Sequence, residues 1–234
     1  VEERRYGTFE DLRRYCYGVA SAVGLVSIRV FGCTHPDTPA YAETLGYALQ
    51  TTNILRDVAD DYVNMGRVYL PQDELQAYGV EEAELADPAR SPKARRLLRM
   101  CGYRCEHFFR KAERLLPESE QARLRSALAM AAVYGAILQR IRAKDFAITQ
   151  QRERLSKFTK VRLMLGALRQ AKKPLPPRAK PGTVAIWGGG IAGITAALEA
   201  GRQGFTPILF EAKNRLGGRA HSLTDPRTGL TLDN

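Results

Sequence analysis

Several features are missing from this 234-residue chain, and each absence removes a class of protein. No run approaches the roughly eighteen apolar residues that cross a bilayer as a helix, and no signal-type leader opens the chain. The four cysteines, Cys16, Cys33, Cys101 and Cys105, follow no metal-site spacing. They read as free thiols, a usage that fits a reducing cytoplasm. Acids are scarce: 25 Asp and Glu face 36 Lys and Arg, a formal charge of +11. The surplus is uneven, with roughly two dozen cations against about six acids between residues 93 and 180. Nucleic-acid binding is one reading of such a surplus, but no recognition motif or aromatic interleaving accompanies it, and no nucleic-acid partner is expected. The opening VEERRYGTFEDL carries no initiator Met and enters mid-pattern, as a piece of a longer polypeptide would.

What is present is concentrated between Gln50 and Pro71, QTTNILRDVADDYVNMGRVYLP. Gln50, Asn53, Asp57 and Asp61 recur at spacings of three and four, so a helix stacks them along one face. At about 100° per residue, Asn53, Asp57 and Asp61 share a narrow sector, while Asp60 is rotated off it. Two carboxylates and an amide oxygen in a line have the oxygen-only chemistry that Mg²⁺ prefers. Arg67, Tyr69 and the turn residue Gly66 follow, placed to close over an anion held by that metal. Acid pairs four apart are commonly solvated surface. Here Tyr47, Leu49, Ile54, Leu55 and Val58 make the rest of the helix apolar, and like charges on a half-buried helix repel unless a cation bridges them. The segment reads as a site for a magnesium-bound phosphate or diphosphate.

Upstream, YCYGVASAVG (Tyr15–Gly24) is rich in small residues, which serve either close helix packing or room for a long apolar chain. Periodicity predicts helices at about 8–31, 38–65, 92–116, 118–150 and 156–172, with Asp37 as an N-cap and Pro92 in a first turn. Residues 66–91 read as loop with short helical turns. In SKFTKVRLMLGALRQAKK (Ser156–Lys173), Phe158, Val161, Leu165 and Leu168 repeat at helical spacing among Lys157, Lys160, Arg162, Arg169, Lys172 and Lys173. A basic amphipathic helix of this kind can rest on anionic lipid, on the inner face of a membrane, or pack as an ordinary last helix of a bundle.

The composition then breaks. Residues 172–182, KKPLPPRAKPG, read as a Pro-rich linker between a helical domain at 1–171 and a second domain at 183–234. A β-branched run leads into Gly188-x-Gly190-x-x-Gly193, a helix of small residues, and a strand ending at Glu211. That is a dinucleotide-binding βαβ fingerprint in context. Its glycines permit a tight turn and close approach of a pyrophosphate, and Glu211 is placed for a ribose hydroxyl.

The motif Q-x-x-N-I-x-R-D-x-x-[ED]-D followed by G-R-x-Y-L-P, together with YCYGVASAVG, resembles the squalene/phytoene synthase family over residues from about 6 to 170. The resemblance implies a mainly α protein, an all-α isoprenoid-synthase-type bundle, that joins two allylic C15 or C20 diphosphates head to head. It implies Mg²⁺ on Asn53, Asp57 and Asp61, with Gln50 and Arg56 lining or bracing the pocket. Arg67 and Tyr69 lie in the matching motif, and Tyr15, Val19, Ala20 and Val23 would shape the prenyl tunnel. Arg152 and Arg154 fall where the family places a diphosphate-binding arginine, and spacing does not choose between them. The family's first Asp-rich motif has no counterpart here, so the chain by itself is expected to be inactive.

The stretch N-R-L-G-G-R, with Arg215, Gly217, Gly218 and Arg219, resembles the second flavin-diphosphate motif of amine oxidases and carotenoid desaturases, and within them squalene-associated FAD-dependent desaturases. This implies FAD on Gly188, Gly190, Gly193, Glu211 and those four residues, in a truncated Rossmann-like α/β unit. The combined expectation is a farnesyl diphosphate-condensing transferase of hopanoid-type synthesis fused to a flavoprotein. The alternatives are a phytoene synthase using geranylgeranyl diphosphate and a non-catalytic membrane-docking scaffold.

Overall fold

The computed structural model describes residues 5–170, 182–202, 204–211, 216–217, 223–224 and 231–232. Lys172, Lys173, most of the Pro-rich stretch, Arg215, Gly218 and Arg219 lie outside the described residues. The chain divides into two compact units, 1–175 and 176–234.

The first unit is helical. Helix α1 (Phe9–Cys16) starts at a capping box in which Thr8 and Asp11 satisfy each other's backbone N–H groups. It runs into a π-helical segment, Tyr17–Ser21, and continues as α2 (Ala22–Val30). The single helix expected at 8–31 is therefore interrupted. The reason lies in the next element, α3 (Thr38–Met65), which crosses it closely. A Cβ on Gly46 would stand 2.6 Å from Ser21 Cα, and one on Gly24 would stand 3.0 Å from the Ala42 carbonyl oxygen. Ser21 Oγ donates to the Glu43 carbonyl at 2.8 Å. Thus Ser21 and Gly24 serve helix–helix contact, while Gly18 faces open space.

Helix α3 forms the spine, with more than half its residues buried. Asp37 does occupy the N-cap position but makes no side-chain cap; Pro39 pre-sets the first turn instead. Gly66 ends the helix in the left-handed region at φ 62°. A short α4 (Gln72–Tyr78) and two 3₁₀ turns occupy the expected loop. Helix α5 (Pro92–Leu115) is capped by Ser91 and lays Ala94, Leu97, Leu98, Cys101 and Cys105 along α3. With Leu55, Leu138 and Ile141 these build the main core. All four cysteines are buried free thiols, and burial pushes those of Cys16 and Cys33 up to about 12.

Helix α6 (Arg125–Ala143) is shorter than the expected 118–150. It stops because Asp145 and Phe146 both take positive φ, 50° and 56°. Arg95 and Arg99 hold the Asp145 carboxylate. The Phe146 ring is buried against Gly102, where any Cβ would meet it at 2.1 Å. These contacts stabilise a reversal that a solvated helix end would not adopt. Helix α7 (Lys157–Gln170) then packs on α6.

In the second unit, β1 (Thr183–Trp187) and β2 (Thr206–Phe210) pair in parallel through α8 (Ile191–Arg202). Two short strands, β3 (Leu223–Thr224) and β4 (Thr231–Leu232), pair antiparallel. No described helix is long and apolar enough to cross a membrane.

Candidate functional site

Between the π segment, α2, α3 and α6 lies an apolar cavity of about 280 Å³. Val19, Ala20 and Val23 line one wall, Leu45 and Leu49 another, and Met130 and Tyr134 of α6 a third. Its volume is at the lower end of ligand pockets. Gln50 and Asn53 are the polar members of the α3 wall. The next two turns of α3 carry Asp57 and Asp61.

The acids are not bare. Arg56 donates from Nε and Nη2 to the two oxygens of Asp57, at 2.8 and 2.6 Å. Tyr134, a residue of the cavity wall, lies close enough to Arg56 to stabilise its charge, after Asp57. Arg152 donates from Nη2 to Asp60 at 2.5 Å, and its Nε stands 3.3 Å from Asp57 Oδ1. Between the two arginines left open by spacing, Arg152 is therefore the one that reaches the acids. Arg154 is exposed, and its carbonyl accepts from Arg140. Asp60, rotated about 60° from Asp57 on a helix, nonetheless shares that arginine with it. The structure corrects the expectation that Asp60 stands apart.

Asn53 and Asp61 behave differently. Asn53 Oδ1 is buried with no hydrogen-bond partner among the described residues. Burial first, and then the charge of Asp57, push the Asp61 carboxyl above its ordinary range despite Arg152 and Arg67 nearby. Asp61 has no hydrogen-bond or ion-pair partner among the described residues. An orphaned amide oxygen and a carboxylate short of cations are the donors a hard divalent ion takes, so these residues fit Mg²⁺. No group of three or more His, Cys, Asp and Glu side chains is placed to hold a metal among the described residues. For a metal here, Asn53 would have to supply a third oxygen and Asp57 would exchange part of its arginine pairing for the ion.

Three expected site residues lie outside this cavity. Tyr15 does not line the cavity; it stacks on Tyr69 and meets Tyr6 at a tilt, with ring centroids 5.5 Å apart in each pair. Burial first, and then the neighbouring Tyr69, raise its pKa. Tyr69 is accordingly held in this aromatic cluster. Arg67 is exposed just beyond the α3 cap, its N–H donating to the Asp61 carbonyl at 3.0 Å. The sequence reading missed Tyr134, since nothing in its surroundings marks a residue 78 positions from Arg56.

In the βαβ unit, Gly188 has φ 100°, and a Cβ on Gly193 would fall 1.8 Å from the Gly188 carbonyl oxygen. These two positions require glycine. Gly190 bridges to Gly217. The Glu211 carboxylate accepts the Gly189 N–H, so the acid at the end of β2 faces the glycine turn that leads into α8.

The helical unit has the architecture of isoprenoid synthases that act on prenyl diphosphates. It superposes on a dehydrosqualene synthase crystal structure with TM-score 0.57 at 27% identity, over 72% of this chain and 59% of that one. A squalene synthase from Alicyclobacillus acidocaldarius gives 0.55 at 28%, over 63% and 56%. Residues 1–159 match the family Squalene/phytoene synthase, and residues 186–234 match NAD(P)-binding Rossmann-like domain. The chain belongs to the squalene/phytoene synthase family, with a short Rossmann-like segment following. It is 37% identical to a chloroplastic phytoene synthase of an Oncidium hybrid cultivar over 69% of this chain and 40% of that one. It is 36% identical to a phytoene synthase of Mycobacterium tuberculosis over 68% and 54%. The chain thus spans about half the length of the curated relatives it matches.

Proposed function

We propose that the helical unit is a Mg²⁺-dependent prenyltransferase that condenses two farnesyl diphosphates head to head, to presqualene diphosphate and squalene, in hopanoid-type synthesis. The observation that carries this reading is the continuity of α3. Gln50 and Asn53 border an apolar cavity, and the turns that follow carry Asp57 and Asp61. Mg²⁺, when bound by Asn53, Asp57 and Asp61, would supply positive charge against a departing diphosphate. Arg56 orients Asp57. Arg152, placed between two carboxylates, offers a guanidinium to the same anion. Val19, Ala20 and Val23 exclude water around an allylic carbon that must not be hydrated.

A second reading, geranylgeranyl diphosphate to phytoene, is favoured by the names of the relatives at 36–37% identity. For the C-terminal unit, the glycine fingerprint and N-R-L-G-G-R support an FAD-dependent oxidoreductase module acting on the condensed product. Gly193 and Gly188 leave the close backbone approach that a dinucleotide pyrophosphate needs.

The test is thermal stabilisation of the chain by non-hydrolysable C15 and C20 diphosphate analogues, with Mg²⁺ or with chelator. Mg²⁺-dependent stabilisation is expected, of about 2.7 kcal/mol at a hundredfold excess over the dissociation constant. The better analogue assigns chain length. Stabilisation by neither, with Mg²⁺ present, would favour the non-catalytic scaffold.

A further inference from the structure

Helix α7 holds to the bundle by a narrow stripe and leaves its other face bare. Thr159 and Leu163 are half-buried and Ala167 is buried, at spacings of four, where the helix meets α6. On the far side Phe158 is 78% exposed, Val161 53%, Leu165 49% and Leu168 38%. At 100° per residue these four fall within a sector of about 80°. Such a stripe is not what a solvated helix shows.

The flanks of the stripe say what covers it. Lys157 lies at one edge of the apolar sector, with Lys160 further round, and Arg162 and Arg169 lie at the other. The helix contains four cations and no acid. None of the four forms an ion pair with a described acid, unlike Arg95, Arg99 and Arg104 of α5, which are held by Asp145 and Glu74. An apolar protein partner would leave these charges stranded at its rim. A surface with anionic groups at the level of the cations and hydrocarbon beneath matches both parts at once. With 14 residues, about 21 Å long, α7 lies along such a surface and does not cross it.

We propose that the exposed face of α7 is an interfacial docking site for an anionic lipid bilayer, with Phe158, Val161, Leu165 and Leu168 inserted among acyl chains and Lys157, Arg162 and Arg169 on the headgroups. This does not rest on the prenyltransferase reading.

The test is co-sedimentation of the whole chain with vesicles of equimolar phosphatidylcholine and phosphatidylglycerol, and with pure phosphatidylcholine, at low and high salt. Binding to the anionic vesicles alone is expected, weakening as salt screens the headgroups. Phe158→Ser with Leu165→Ser should lower partitioning at least about tenfold. Arg162→Gln with Arg169→Gln should lower it about thirtyfold. All four side chains are exposed, so an unchanged melting midpoint verifies the fold. Lys93→Gln with Arg96→Gln, two exposed cations of α5, should leave partitioning intact. No binding, equal binding to neutral vesicles, or equal loss from the α5 pair would overturn the proposal. So would a lipid-free dimer that Phe158→Ser dissociates, since a second copy would then be the occupant.

Discussion

Arg152 reaches back over 92 positions of chain to donate to the Asp60 carboxylate, from the segment that follows the Asp145–Phe146 reversal. The same guanidinium lies against Asp57. Three carboxylates on two turns of one helix repel, and in this structure protein cations offset two of them. The cation site is thus shared between arginine and whatever ion the third acid receives.

Arg152→Gln is therefore expected to destabilise the metal-free chain by about 1–2 kcal/mol, a value kept low by the partial exposure of the group. Added Mg²⁺ should recover more stability in the variant than in the parent. Urea unfolding with and without Mg²⁺ measures both. Equal Mg²⁺ increments would show that arginine and metal do not compete.

Asp57→Asn and Asp60→Asn should separate binding from stability. The first is expected to weaken Mg²⁺-dependent analogue affinity by at least about a hundredfold. The second should change affinity by less than about tenfold while lowering metal-free stability, because it removes the carboxylate partner of Arg152 and weakens an Asn64 hydrogen bond. Titration calorimetry with the diphosphate analogue distinguishes them; matching losses would count against the assignment of Asp57 as the ligand.

Gly46→Ala places a Cβ against the Ser21 backbone and is expected to cost about 1–3 kcal/mol. Gly18→Ala, with nothing within 4 Å, should be neutral or stabilising by up to about 1 kcal/mol. The unfolding midpoints of the pair test whether the small residues of this stretch act through packing. If Gly46→Ala proved harmless, the close crossing of the π segment and α3 would be wrong.

Glu120 is 1% exposed and accepts the N–H groups of Thr34 and His35, at 2.7 and 2.9 Å, and Arg123. Burial works to raise its pKa, but these bonds prevail and hold it below the ordinary 4.5. A depressed folded-state pKa contributes stability above pH 4.5 that is lost as pH falls through the folded value. Glu120→Gln should remove that part of the acid sensitivity and cost about 3 kcal/mol at neutral pH. Acid titrations of urea stability, parent against variant, give the comparison; parallel curves would exclude Glu120 as a contributor.

Much of the architecture was legible because periodicity is local. Helices α3, α5 and α7 stand close to where apolar spacing, Pro92 and the basic stripe place them. The acids of α3 were legible for the same reason. What escaped were contacts made across the chain. The break after α6 depends on Gly102 making room for Phe146, and the choice of Arg152 over Arg154 follows from that break. Tyr15 and Tyr69 stack on each other beside Tyr6, a cluster that spacing does not announce. Asp60 was set aside on wheel angle alone, although a long side chain from another segment spans the difference.

The Tyr17–Ser21 segment gives this fold an unusual route of variation. Losing one residue there would restore ordinary α winding without breaking the helix, yet swing everything before it by about a third of a turn. Val19 and Ala20, inside the segment, would re-aim against Val23, which follows it. A one-residue deletion within those five positions would thus reshape a wall of the hollow in a single genetic step, where replacements along the walls change one side chain at a time.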